Sequence, residues 1–194
     1  VLLSLWFIAT VLVGASGAFV APPGAPPLAL LFGVLAPIAT FFAAYWLSRP
    51  FNQWVLTADL QPLVAIQAWR FGGLGFLALY AHGVLPGAFA WPAGLGDMAI
   101  GITAPWVLVA LQRSEQFATS RTFRRWNILG ITDLVVAVSL GALVSVLSTG
   151  TGEVTTRPMA EMPLVLIPTF LVPFMAMLHA ASLLQARHAF VRRS

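Results

Sequence analysis

The sequence contains no cysteine and no lysine. Without cysteine there are no disulfides, thiolate metal sites or thiol chemistry. Without lysine there is no Schiff-base nitrogen, which excludes a retinal-type pigment and lysine-based covalent catalysis. Charge of either sign is scarce: 8% of the 194 residues are charged, against about 25% in a soluble domain. Residues 1–48, 134–152 and 162–186 carry none at all. No HExxH, CxxC, phosphate-binding glycine loop or carboxylate cluster is present, so a soluble-type enzyme is not expected. The net charge of +4 rests on few groups, and no nucleic-acid-binding pattern accompanies it.

What fills the chain instead is apolar: 59% of residues are hydrophobic and the mean hydropathy is +0.90. Runs of roughly 20 apolar residues are long enough to cross a bilayer as helices. The fold class expected is therefore all-α, a single integral membrane bundle covering residues 1–194. Six spans can be drawn, at about 1–20, 28–48, 62–83, 95–111, 127–147 and 163–185. Residues 1–20 carry a plausible cleavage site, SGA at 16–18, but show no basic leader, which favours a retained first span. APPGAPP at 21–27 reads as a stiff turn. Pro37 is a candidate kink, and Pro168 and Pro173 break the sixth span. Residues 49–61, with Trp54 and Asp59, form an amphipathic stretch suited to the membrane surface. PGAFAWPAG reads as a short turn between spans three and four, and RSEQFATSRTFRRW as the one strongly charged loop.

The arginines orient this scheme. Arg49, Arg113, Arg121, Arg124, Arg125, Arg187, Arg192 and Arg193 fall on one side, and Arg157 alone on the other. Basic residues favour the cytoplasmic face, so six spans put both termini in the cytoplasm, in what reads as a bacterial inner membrane. Trp46, Trp126, Trp91 and Tyr80 then belong to an interfacial aromatic belt. Gly72, Gly73, Gly75, Gly94, Gly96 and Gly101 suit close helix approach. WRFGGLGFL at 69–77 faintly echoes WNILGITDL at 126–134.

Three charges lie inside spans: Arg70, Asp97 and Asp133. A charge at mid-membrane costs at least ~2.5 kcal/mol on insertion scales and pairs or lines a cavity. Counting ~1.5 Å per residue, Arg70, Asp133 and His179 come to similar depths of roughly 9–12 Å from the cytoplasmic side. An Arg70–Asp133 ion pair is expected, with His179, Gln67 and Asn127 in the same inner polar layer. Asp97 counts to one turn below the outer surface, where His82 and Tyr80 are its expected neighbours. Each has a plainer reading: an ion pair that fixes helix register, an aspartate that caps its helix, a histidine bonded to a carbonyl. Yet two acids and one base leave a carboxylate without a formal counter-ion, and a protonatable Asp beside a histidine suits a proton or solute pathway.

GASG at 14–17 matches the GxSG motif of rhomboid proteases, but Ser16 and His179 fall at opposite ends of the bundle, too far for a nucleophile–base pair. Bis-histidine haem ligation fails likewise, since His82 and His179 differ in depth; a single ligand, His179, stays open for haem or pigment. The segments QAWRFGGLGFLALYAHGVLPGAFAWPAGLGD, WNILGITDLVVAV and PTFLVPFMAMLHAASL resemble a group of small bacterial membrane proteins with no assigned activity. That resemblance covers about residues 60–185 and implies only spans. Three functions stand open: a non-catalytic membrane protein, for instance an accessory subunit of a larger complex; a proton or small-solute transporter using Asp97, Asp133, Arg70 and His179; or a binder of haem, quinone or pigment. No cofactor is required. The bilayer, and other membrane subunits under the first reading, are the expected partners.

Overall fold

The computed structural model describes residues 1–147 and 153–191, so Arg192 and Arg193 lie outside the described residues. The fold is all-α. In chain order come α1 (Leu2–Ala15), α2 (Leu28–Leu47), α3 (Arg49–Thr57), α4 (Leu60–Ile66), a 3₁₀ segment (Gln67–Gly73), α5 (Leu74–Ala81), α6 (Gly87–Arg113), a 3₁₀ turn (Glu115–Thr119), α7 (Arg121–Leu147), a 3₁₀ turn (Arg157–Ala160), a π turn (Ile167–Leu171) and α8 (Val172–Val191). Among the described residues, five helical stretches are long and apolar enough to span a bilayer: Leu28–Leu47, Leu60–Ala81, Gly87–Arg113, Arg121–Leu147 and Ile167–Phe190. The chain is a multi-pass membrane protein. The helix Leu2–Ala15 is apolar but has 14 residues, roughly 21 Å against a hydrocarbon core of about 30 Å.

Two helix starts lie earlier than the hydropathy pattern suggests. PGAFAWPAG is not a turn. Its first residue, Pro86, has extended backbone and offers its carbonyl to the amides of Phe89 and Ala90, so α6 begins at Gly87. The turn lies upstream, at Gly83, whose φ of 69° suits a residue without Cβ. Pro92 then sits within the helix and faces outward. Likewise α7 begins at Arg121, where the Ser120 hydroxyl accepts the Phe123 amide at 3.1 Å. Half of the expected charged loop is thus helix.

One end of the bundle is tied together by polar contacts. Gln185 donates to the carbonyls of Val55 and Ala58 at 2.8 and 2.9 Å, fixing amphipathic α3 to α8. Gln112 donates to Gln61 at 3.3 Å. Arg49, Arg113, Arg121, Arg124, Arg125 and Arg187 belong to this end by connectivity, while Arg157 is at the other, paired with Glu161 at 3.0 Å. Trp126 does not join an interfacial belt: it is buried and donates to Thr103 at 2.9 Å. Its counterpart in the faint repeat, Trp69, is exposed.

In lipid, apolar surface gains little from burial, so packing and hydrogen bonds must hold the helices. Helix α6 is central: it packs on α4, the 3₁₀ segment, α5 and α7. Buried apolar residues form a cluster around Val64, Ala104, Val107, Leu111 and Phe123 toward the arginine-rich end. A second, around Phe76, Leu85, Phe89, Ala93 and Met159, lies toward the opposite end. The charged site occupies the level between them.

Candidate functional site

The 3₁₀ segment explains how a guanidinium is aimed inward from a greasy stretch. At three residues per turn, side chains spaced by three align on one face. Gln67, Arg70 and Gly73 are the buried residues of QAWRFGG, and Trp69 and Phe71 point outward. An α-helix would spread the same three over about 120°. Gly73 also lets α6 come close: a Cβ there would stand 2.5 Å from the Asp97 Cβ and 2.9 Å from the Gly94 carbonyl. At Gly101 a Cβ would strike the backbone of Arg70 and Phe71. Gly72 and Gly75, by contrast, face open space.

Arg70 is 4% exposed and every nitrogen of its guanidinium is used. Nε donates to Asp97 Oδ1 at 2.7 Å, and Nη2 donates to Asp133 Oδ2. Nη1 donates to the Gly130 carbonyl at 3.2 Å and lies 3.1 Å from His179 Nε2. The expected Arg70–Asp133 contact is present, with His179 in the same site. Asp97 is in that site too, rather than in an outer group with His82 and Tyr80. Tyr80 packs on Trp91, with ring centroids 6.0 Å apart, and His82 is exposed. The misplacement follows from the helix start. With α6 beginning at Gly87, Asp97 is ten residues in, roughly 15 Å along the helix. By the same count Asp133 and His179 lie roughly 18 Å from their helix ends, so the site is at mid-bundle rather than in the inner half.

Hydrogen-bond logic fixes the state of His179. Arginine has no acceptor, so Nε2 must accept from Nη1. The Asn127 amide nitrogen donates to the Phe123 carbonyl at 2.9 Å, leaving Asn127 Oδ1, 2.9 Å from His179 Nδ1, as acceptor. The ring is therefore neutral with its proton on Nδ1. Both ring nitrogens are engaged within the protein in this arrangement. Gly130 makes room for this ring, which a Cβ would overlap, and Gly96 does the same for the Asp133 carboxylate. Gln67 donates to the Met175 carbonyl at 3.2 Å, while its buried Oε1 has no partner among the described residues. Among those residues no three His, Asp or Glu side chains converge as a metal-ligand set.

The formal charges do not cancel. One guanidinium faces two carboxylates, and a neutral histidine adds nothing, so the site carries −1 when both acids are ionised. One proton or one monovalent cation balances it. The acids are also the accessible members: the Asp97 and Asp133 side chains are 18% and 14% exposed, that of Arg70 only 3%. Asp97 borders a cavity that runs between α2, α6 and α7 toward the Arg157 end of the bundle. Its volume is about 80 Å³, room for roughly two or three waters at ~30 Å³ each. Sequence reasoning missed the joining of Asp97 to this site. Gly94, Gly96 and Gly101 flanking it were the available signal, since three small residues around one acid allow a neighbouring backbone to reach it.

A family model described as Domain of unknown function (DUF8737) matches residues 25–187. No curated protein and no solved structure matches the chain.

Proposed function

The chain belongs to the family Domain of unknown function (DUF8737), and we propose that it is a membrane transporter of protons or a small solute, working through Arg70, Asp97 and Asp133. One observation carries this reading: two carboxylates share one buried guanidinium, and one of them borders a cavity. An intramembrane acid on a cavity is suited to load and release a charge. An accessory subunit needs neither an excess carboxylate nor a cavity leading to it. His179 and Asn127 act here as positioning residues: they hold the guanidinium from the side opposite the acids. In this reading α1 supplies a sixth crossing, both termini are cytoplasmic, and the cavity opens to the outer side of a bacterial inner membrane.

The test is flux. Protein reconstituted into liposomes with a pH-sensitive dye inside should dissipate an imposed proton gradient faster than empty liposomes. Asp97→Asn should abolish the difference. Flux equal to that of empty liposomes, over a range of imposed gradients and added solutes, would remove the transport reading.

A further inference from the structure

The cavity is shaped for more than a proton. Its walls are apolar, formed by Leu30 and Val34 of α2, Phe76 of α5, Phe89 of α6 and Ala137 of α7. Asp97 is the acid on its lining, and the Arg157 at its rim is already neutralised by Glu161. We infer that the cavity binds a compact monovalent organic cation, with its apolar body against these walls and its charge toward Asp97. This rests on the transport reading and names its substrate class.

Three properties of the site select this class. An anion would face a site of formal charge −1, with the guanidinium of Arg70 turned away from the cavity and committed to other partners. A small inorganic cation would leave the apolar walls unused and, among the described residues, finds no set of three His, Asp or Glu ligands. An apolar neutral molecule would fill the walls but leave the excess carboxylate uncompensated. Volume sets the size: about 80 Å³ is roughly half of the ~150 Å³ that admits a benzene ring, which suits a small aliphatic ammonium whose body is a few methyl groups. The cation and a proton compete for the same charge. When the cation enters, the proton on the shared carboxylates leaves to water, so at most one proton is released per cation bound. The charged and titratable groups facing Asp97 are Arg70 from the 3₁₀ segment, Asp133 from α7 and, through Arg70, His179 from α8.

Tetramethylammonium is a fitting probe because it is small and cannot itself carry a proton; methanesulfonate is of similar size and opposite charge. Calorimetry on the purified full chain in detergent should show the cation binding at least about tenfold tighter than the anion, a difference of ~1.4 kcal/mol. Asp97→Asn should weaken the cation by a similar factor, and Ala137→Phe, which fills the cavity without touching a charge, should also weaken it. The wild-type comparison of cation and anion needs no variant to fold. Equal binding of the two probes, or cation binding unchanged in both variants, overturns the inference. Proton flux in liposomes with no cation binding overturns it while leaving the transport reading in place; absence of both removes the two together.

Discussion

Arg70 Nε and Asp97 Oδ1 stand 2.7 Å apart, although 27 residues and the Gly83 turn separate them in the chain. The contact exists because the 3₁₀ segment packs on α6 with glycine against glycine: Gly73 and Gly94 let the backbones approach until the acid lies beside the guanidinium. Asp133 completes the arrangement from α7.

Removing Arg70 should be far worse than removing the whole charged set. Arg70→Leu leaves two carboxylates facing each other without a counter-ion, at an expected cost of ~3–5 kcal/mol. Unfolding temperature in detergent reads this. Combining it with Asp97→Leu and Asp133→Leu should recover most of the loss, because replacing a complete buried ion set by apolar residues of similar volume is often near neutral. A triple variant as unstable as Arg70→Leu alone would mean that the guanidinium matters for packing rather than for charge.

The glycines divide into two groups. Gly130→Ala drives a methyl into the His179 ring, and Gly96→Ala drives one into the Asp133 carboxylate. Each should destabilise by about 1–3 kcal/mol, as overpacking does. Gly72→Ala and Gly75→Ala meet nothing within 4 Å and should be neutral or stabilising by about 0.5–1 kcal/mol. Four melting curves decide it, and equal effects across the two groups would count against the close approach at 96 and 130.

His179 should be found as the neutral imidazole protonated on Nδ1. Nitrogen-15 NMR of histidine-labelled protein distinguishes this tautomer from the Nε2 form and from imidazolium. His179→Gln keeps an acceptor near Arg70 and should retain proton flux, while His179→Phe should lose it. Similar flux in both variants would show that the acceptor does not position the guanidinium.

Because the chain has no cysteine, single cysteines can map the cavity directly. Ala137→Cys lines it and should react with a membrane-impermeant thiol reagent added from the Arg157 side. Ala104→Cys, buried in the cluster toward the other end, should be protected. Labelling of both, or of neither, would contradict a one-ended cavity.

How far the sequence could be read depended on where each helix starts. Counting from 62 and 127 brings Arg70 and Asp133 to one level although the helices begin at Leu60 and Arg121; the mismatch is about one helical turn, which a long arginine side chain can span. Asp97 was misplaced because Pro86 and Pro92 look like turn residues, whereas Pro86 precedes the first turn and Pro92 is accommodated within α6. A proline-bearing helix start reads in hydropathy like a loop. Burial of Asn127 and Gln67 followed from their position among apolar residues. The 3₁₀ alignment of Gln67, Arg70 and Gly73 could not be read, because an α-helical count of the same residues looks ordinary. The cavity could not be read either, since it depends on how α2 stands away from α7, which no local pattern encodes.

The central claim is that Arg70 balances one carboxylate and leaves the pair Asp97–Asp133 to hold one exchangeable proton. Infrared difference spectroscopy on the purified protein, stepped through pH, counts protonated carboxyls directly. The wild type should gain one carboxyl band that both Asp97→Asn and Asp133→Asn lack, because either substitution leaves a single acid fully matched by Arg70. A band that persists unchanged in both variants, or no wild-type band beyond theirs, would contradict the account.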